Sequence, residues 1–278
     1  MMRVAKLTLS VAVVAVIAAC SESPAREIAA PGGVRTIVNG VPTGSDYGNV
    51  GALLFDYDQN GISGDDEWCT GSLIAPTIFL TAAHCVVSPY TPPGTEFYVS
   101  FASDLYAKGM KAIKATGYVY DPEFGHDVAK YHDLALIFLP RSSTNGITPL
   151  SLPPADYLGQ LSAKGELANQ LFVNVGYGVD ATRHGKTQYP YSGLRAMSKS
   201  EFSGITSTWL DLLMNTSSTG QGGDCYGDSG GPKFIDGNST MIVATVTTGD
   251  SNCRATSRDW RLDTPEARGF LGKYVTLP

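Results

Sequence analysis

Short runs rich in Val, Ile, Phe, Tyr and Thr recur along the chain at 51–57, 72–75, 96–101, 134–139, 171–175, 207–214 and 241–246. Gly, Pro, Asn and Asp separate them, so each run reads as a strand closed by a turn. Many short strands in series predict a sandwich or a barrel rather than a parallel sheet between helices. Only 264–274 carries helix signals. It opens on Asp263-Thr264-Pro265-Glu266, which offers a capping side chain, an early proline and an early acid. The stretch 148–154 holds Pro149, Pro153 and Pro154, which excludes both a helix interior and a central strand. It marks the crossing between two halves, about 37–150 and 151–278. No repeat of fixed period is present.

The first residues differ from this pattern. Arg3 and Lys6 precede an apolar stretch, 7–19, that is short for a membrane span, so 1–19 reads as a signal peptide. A retained anchor helix is the alternative. The stretch ends in Ile17-Ala18-Ala19-Cys20, which resembles the lipobox of bacterial lipoproteins and implies membrane attachment through a lipidated Cys20. Simple cleavage with full release competes with that reading. Either way the chain is expected to be exported, to the periplasm, the surface or the exterior of a bacterium. Residues 20–36 follow as a polar linker or pro-segment containing Pro and Gly, and folding is expected to begin at Ile37.

Composition narrows the function. With 31 Gly, 16 Pro and 17% charged residues among 278, the chain suits a globular fold with many tight turns. Lys and Arg number 20 against 26 Asp and Glu, a net charge of −6 with no basic cluster, so nucleic acid is not an expected partner.

The segment Gly227-Asp228-Ser229-Gly230-Gly231-Pro232 carries the chemistry. A serine hydroxyl is a weak nucleophile and needs a neighbouring base, and glycines let a tight turn aim consecutive N–H groups at one point. Leu80-Thr81-Ala82-Ala83-His84-Cys85 supplies a histidine at the end of one strand-like run, and Asp133-Leu134-Ala135-Leu136 an acid at the start of another. Asp127 is the rival acid but lacks the following apolar run. His126, His132 and His184 read as solvated.

In motif, order and spacing these three segments resemble the trypsin/chymotrypsin family from Ile37 to the C-terminus. The resemblance implies an all-β fold of two antiparallel six-stranded Greek-key barrels with a short C-terminal helix, the peptidase domain being 37–278. It implies a monomeric serine endopeptidase acting on protein or peptide substrates through an acyl-enzyme, with no cofactor required. His84, Asp133 and Ser229 would be catalytic, and the N–H groups of Gly227 and Ser229 would form the oxyanion hole. Thr247 would hydrogen-bond the catalytic aspartate. Disulfides Cys69–Cys85 and Cys225–Cys253 are implied, leaving Cys20 over from five cysteines. The substrate pocket would be walled by Gly223, Asp224, Thr247, Thr248 and Gly249, with Asp259 a further candidate for its floor. Asp224 would draw Arg or Lys as the P1 residue, the one preceding the cut bond, and large aromatics admitted past Gly249 are the alternative.

Ile37-Val38-Asn39-Gly40 resembles the N-terminus that zymogens of the family expose, whose ammonium would pair with Asp228. Arg35 lies one residue too early for a tryptic cut before Ile37, so another protease acts, or trimming follows, or the enzyme works without the insertion; cleavage before Ile37 is the expectation. One further pattern stands apart. Asp56, Asp58, Asn60 and Glu67 follow the spacing of a calcium loop, although the flanking runs are strand-like rather than helical. A structural calcium there competes with an acidic hairpin loop. The sequons at Asn215 and Asn238 read as ordinary turn residues. Two other functions remain open: a surface binding protein that keeps the fold without catalysis, and an esterase that spares peptides.

Overall fold

Two curled antiparallel sheets build the protein, and the computed structural model describes residues 37–127, 129–181 and 191–278. The expected signal peptide, the linker, Cys20, Arg35, Thr36 and His184 lie outside the described residues. After β1 (Val41–Pro42) the first sheet takes β2 (Val50–Leu54), β3 (Glu67–Ala75), β4 (Ile78–Thr81), β5 (Tyr98–Ser100), β6 (Ile113–Lys114), β7 (Gly117–Tyr120) and β8 (Ala135–Phe138). Their order is β6-β5-β2-β3-β4-β8-β7. The sheet's two ends are joined through Ala115 and Thr116, whose N–H groups bond Phe97 O and Phe138 O on opposite edges. The second sheet holds β9 (Leu171–Gly176), β10 (Ala196–Ile205), β11 (Trp209–Leu213), β12 (Pro232–Ile235), β13 (Ala244–Gly249) and β14 (Thr256–Arg261). It closes through β9–β10 pairing.

Each barrel thus has six main strands and a two-residue edge strand, β6 in one and β1 in the other. Sequence placed 41–42 in the first barrel, but β1 pairs with β10 of the second, Val41 opposite Met197. The N-terminal stretch therefore crosses to the far barrel before the first one starts. The proline-rich stretch 148–154 contributes to no strand and links the two sheets.

Burial follows the two-residue period of a strand. In β4, Phe79 enters the core of the first barrel while its neighbour Leu80 packs on the other face against a core shared with the second. In β8, Ile137 and Leu136 divide in the same way. Those strands read as continuous apolar runs because neither face meets water. The shared core adds Val173, Val175, Trp209, Phe234 and Trp260 of the second sheet. Phe270 and Leu271 join it from the C-terminal helix α3 (Pro265–Leu271), which follows α1 (Tyr157–Ala163) and α2 (Thr216–Thr219). Thr264 caps α3 by accepting from Ala267 N, as the sequence signals indicated. Asn215 caps α2 in the same manner.

One side chain ties the barrels together by polar contacts. Arg195, just before β10, is 2% exposed. Its guanidinium donates to Val50 O and Phe101 O of the first barrel, each at 3.0 Å, to Asp46 O at 3.0 Å and Gly44 O at 3.2 Å, and to Thr43 Oγ1 and the Tyr177 hydroxyl. A buried charge is tolerated when its donors are met this completely, and removing it strands the acceptors at roughly 1–3 kcal/mol each. Arg195→Met should lower unfolding stability by about 3–5 kcal/mol in a urea titration. A change below about 1 kcal/mol would show that these bonds do not hold the barrels together.

Candidate active site

Two chain segments, around His84 and around Ser229, line one cavity of about 500 Å³, and a third brings Asp133 against His84. His84 sits on a 3-10 turn, Ala83–Cys85, at the end of β4. That turn is held from behind by the Cys69–Cys85 disulfide and by the Trp68 indole, which donates to Cys85 O at 3.0 Å. Asp133 precedes β8 and is fully buried. Its two carboxylate oxygens accept from His84 twice, at 2.9 Å from the backbone N and at 2.7 Å with Nδ1. Nδ1 is thereby engaged, and Nε2 has no hydrogen-bond partner among the described residues. Burial lowers the imidazole pKa, but the Asp133 charge and hydrogen bond outweigh it and hold it above the usual 6.5.

Ser229 lines the same cavity as His84. Among the described residues no hydrogen bond joins the two side chains, a loose arrangement common in unliganded sites. The turn around Ser229 commits its backbone donors selectively. Asp228 N bonds Cys225 O, Gly230 N bonds Val246 O and Gly231 N bonds Asp228 O. The N–H groups of Gly227 and Ser229 have no acceptor among the described residues. Gly227 adopts φ +97°, which a side chain would resist.

Asp224, Thr247, Thr248 and Gly249 also line the cavity, as do both cysteines of the Cys225–Cys253 disulfide. Three expectations need correction. Gly223 does not reach the cavity, because its backbone forms a bridge with Val38 and Met214 packs where a side chain would be. Thr247 does not bond Asp133. It lies where the register of β13 against β14 slips, and its hydroxyl is buried with no partner. Asp224 is not a free carboxylate awaiting a cation, since the Lys233 ammonium, itself buried, already pairs with it.

Asp228 is fully buried and accepts from Gly178 N at 2.8 Å and Cys225 N at 2.9 Å. Burial and the nearby Asp224 charge push its pKa well above the usual carboxylate range despite those two bonds. Ile37 is close at hand, its N donating to Gly178 O at 3.0 Å, so one glycine bridges it to Asp228. Ile37 holds φ +52°, a conformation that a β-branched residue adopts only under strain.

The calcium pattern is not assembled as its spacing suggested. Asp56 accepts from the N–H groups of Asn60 and Gly61, and Asp58 from the Asn60 side chain, while Asp66 joins the two acids instead of Glu67. Glu67 faces Gly227 on the opposite side, where burial and Asp228 raise its pKa well above the usual value. The loop's polar groups are satisfied by one another. Of the rival residues, Asp127 caps its own turn through Ala129 N, and His126 is exposed beside Glu123. His132 is not simply solvated. It pairs with buried Asp121 at 3.0 Å and packs on Trp260. Asp259 does approach the pocket floor, behind Asp224, whereas no sequence signal marked Lys233, whose ammonium meets Asp224, Asn174 and Asp259 only across separate elements.

Comparison with known proteins fits this geometry. Serine protease 28 of Mus musculus is 28% identical over 237 residues, 77% of either chain. Glucanase inhibitor protein 4 of Phytophthora infestans is 31% identical over 60% of this chain and 62% of its own length. Collagenase of Hypoderma lineatum is 26% identical, covering 64% and 65% of the two chains. Among solved structures, an HL collagenase matches with a TM-score of 0.63 at 18% identity, over 87% of this chain and all of that one, and mouse neuropsin with the same score over 85% and 99%. Those structures share the fold. The family described as Trypsin matches residues 55–262, a span that takes in His84, Asp133 and Ser229 and most of the chain, and the protein accordingly belongs to that family of serine hydrolases.

Proposed function

We propose that the protein is an exported serine endopeptidase in which Ser229 is the nucleophile, His84 the general base and acid, and Asp133 the group that orients and charges the histidine. The observation that carries this reading is the doubly bonded His84–Asp133 pair in the cavity that Ser229 lines. Family membership alone is not enough, since one relative is named as an inhibitor and a shared fold does not fix a function. A binding protein has no need of a buried carboxylate clamped to a histidine beside a serine.

The steps follow from the geometry. Asp133 fixes the tautomer with the proton on Nδ1, leaving Nε2 to take the Ser229 proton as Oγ attacks the peptide carbonyl. The uncommitted N–H groups of Gly227 and Ser229 would meet the negative charge that develops on the carbonyl oxygen, and each such donor contributes roughly a hundred- to a thousandfold in rate. The imidazolium then protonates the leaving amine, and a water activated by His84 hydrolyses the acyl-enzyme. No step calls for a metal or organic cofactor. Calcium in the loop of Asp56, Asp58 and Asn60 has no support from Glu67 and would be structural at most.

Activation belongs to the same reading. Cutting before Ile37 would release the strained φ of that residue and create an ammonium beside Gly178, one hydrogen bond from the Asp228 carboxylate. Burial and Asp224 raise the pKa of Asp228 despite its two N–H donors and the Lys233 charge, and the new terminus would set a cation against it. Export rests on the signal-like 1–19 and on two disulfides, which persist in oxidising compartments. Attachment through a lipidated Cys20 rests on the lipobox-like end of that segment.

Fluorophosphonate labelling of the mature protein tests catalysis. Wild type should be labelled on Ser229, whereas His84→Ala and Ser229→Ala should each lose at least about a thousandfold in peptide turnover while unfolding as wild type does. Either variant retaining a tenth of the activity would refute the triad. Mass spectrometry of the active form tests processing. A chain beginning at Ile37 is expected, with a diacylglyceryl Cys20 on the precursor. Full activity in a chain intact across Thr36–Ile37 would remove the activation step, and an unmodified Cys20 in a purified membrane-fraction precursor would remove the lipid anchor.

A further inference from the structure

Beneath the cavity floor lies a polar cluster that the acyl-transfer steps do not use. Lys233 on β12 is fully buried. Its ammonium contacts Asp224 Oδ2, donates to Asn174 Oδ1 at 2.7 Å and lies 3.5 Å from Asp259 Oδ1. The Ser257 hydroxyl is 2.8 Å from Asp224 Oδ2 and also 2.8 Å from Asp259 Oδ1. A hydroxyl has a single proton to give, so it can donate to only one of two carboxylates. The arrangement is satisfied when Asp259 is protonated and donates to Ser257, which donates in turn to Asp224. Burial drives Asp259 the same way, raising its pKa to about 8. With Asp259 protonated, the Lys233–Asp224 ion pair leaves the cluster with no net charge.

Only part of this cluster faces the substrate. Asp224 and Ser257 line the cavity, while Lys233 and Asp259 stand behind them. A free carboxylate at such a floor would attract a cationic side chain. Here an Arg or Lys would leave water to meet a floor of no net charge with an ammonium behind it, and the desolvation of its own charge would go uncompensated. An uncharged side chain meets no such cost. Val246, Gly249 and the Cys225–Cys253 disulfide offer it apolar walls, and Asp224 Oδ1, buried and unpartnered, can still accept a hydrogen bond.

We propose that Lys233 is the specificity determinant of this cavity: it supplies from inside the protein the cation that Asp224 would otherwise draw from the substrate, so cleavage follows an uncharged P1 side chain and not Arg or Lys. The inference rests on the peptidase reading above and reverses the P1 preference that Asp224 suggests in the sequence. Lys233 acts through Asp224 and touches neither substrate nor nucleophile.

The test uses the mature enzyme and two matched pairs of peptidyl aminomethylcoumarin substrates that differ only at P1, arginine against its uncharged isostere citrulline, and lysine against glutamine. Wild type should show kcat/KM at least about tenfold higher for the uncharged member of each pair. Lys233→Met, which keeps the stem and removes the charge, should shift both ratios at least about tenfold towards the cation. A merely structural role would lower all four substrates together and leave the ratios alone. A wild-type preference for Arg or Lys overturns the inference, even if the variant does not fold, and so does an active Lys233→Met enzyme with unchanged ratios. Failure to cleave any of the four, with no fluorophosphonate label on Ser229, overturns the peptidase reading and this inference with it.

Discussion

The site depends on how closely the backbone of the second barrel lies against the first. Thr70, in the middle of β3, is where they meet. Its N–H donates to Ser229 O at 2.9 Å, its hydroxyl donates to Gly227 O at 3.0 Å, and the same hydroxyl accepts from Tyr177 N at 3.2 Å. Thr81 closes the seam by donating to Thr70 O at 2.8 Å. No side chain fits between these strands. A Cβ on Gly230 would stand 2.2 Å from Thr81 Oγ1 and 2.6 Å from Ala82 N, two residues before His84. Ser229 is thus positioned against His84 by hydrogen bonds from Thr70 to the main-chain oxygens of Gly227 and Ser229 and by the close approach at Gly230.

Around that seam the protein buries several carboxylates and gives each a different partner. Asp133 is matched to His84, whose imidazole pKa its charge and hydrogen bond hold above the usual value. Asp224 is matched to Lys233. Asp259, adjacent to both, is held neutral by burial, and Asp228 is stabilised by two N–H groups with a pKa still well raised. Position in the fold, rather than residue type, decides which acid carries charge. Under the proposed mechanism the first pair would serve proton transfer, the second would set the charge of the substrate pocket, and the last would receive a cation from Ile37.

Sequence made the local parts of this legible. The glycines about Ser229 and the run after Asp133 are contiguous motifs whose chemistry demands those neighbours, and the capping signals of α3 are equally local. Strand β4 was not among the predicted runs, because both of its faces are buried and the polar–apolar alternation vanishes. What sequence could not show was pairing across strands. Lys233 follows the nucleophile motif by only a few residues, yet its importance arises from Asp224, Asn174 and Asp259 on separate elements. Arg195 carries no motif in the sequence and is a buried tie between barrels. Glu67 matched the calcium spacing but turns towards Gly227, because the strand it opens faces the nucleophile loop. His132 borders the catalytic aspartate and is engaged by Asp121 instead.

The claim that backbone docking at the seam positions the nucleophile can be tested by the rate at which fluorophosphonate labels Ser229 in Gly230→Ala, with Gly237→Ala as control. Both glycines hold positive φ, +77° and +90°, so both substitutions strain the backbone, but only Gly230 has protein within reach of the added methyl. Gly230→Ala should slow labelling roughly a hundredfold, the scale expected when a nucleophile is misplaced by about an ångström, while Gly237→Ala should label as wild type does. Equal labelling rates in Gly230→Ala and wild type would contradict the account.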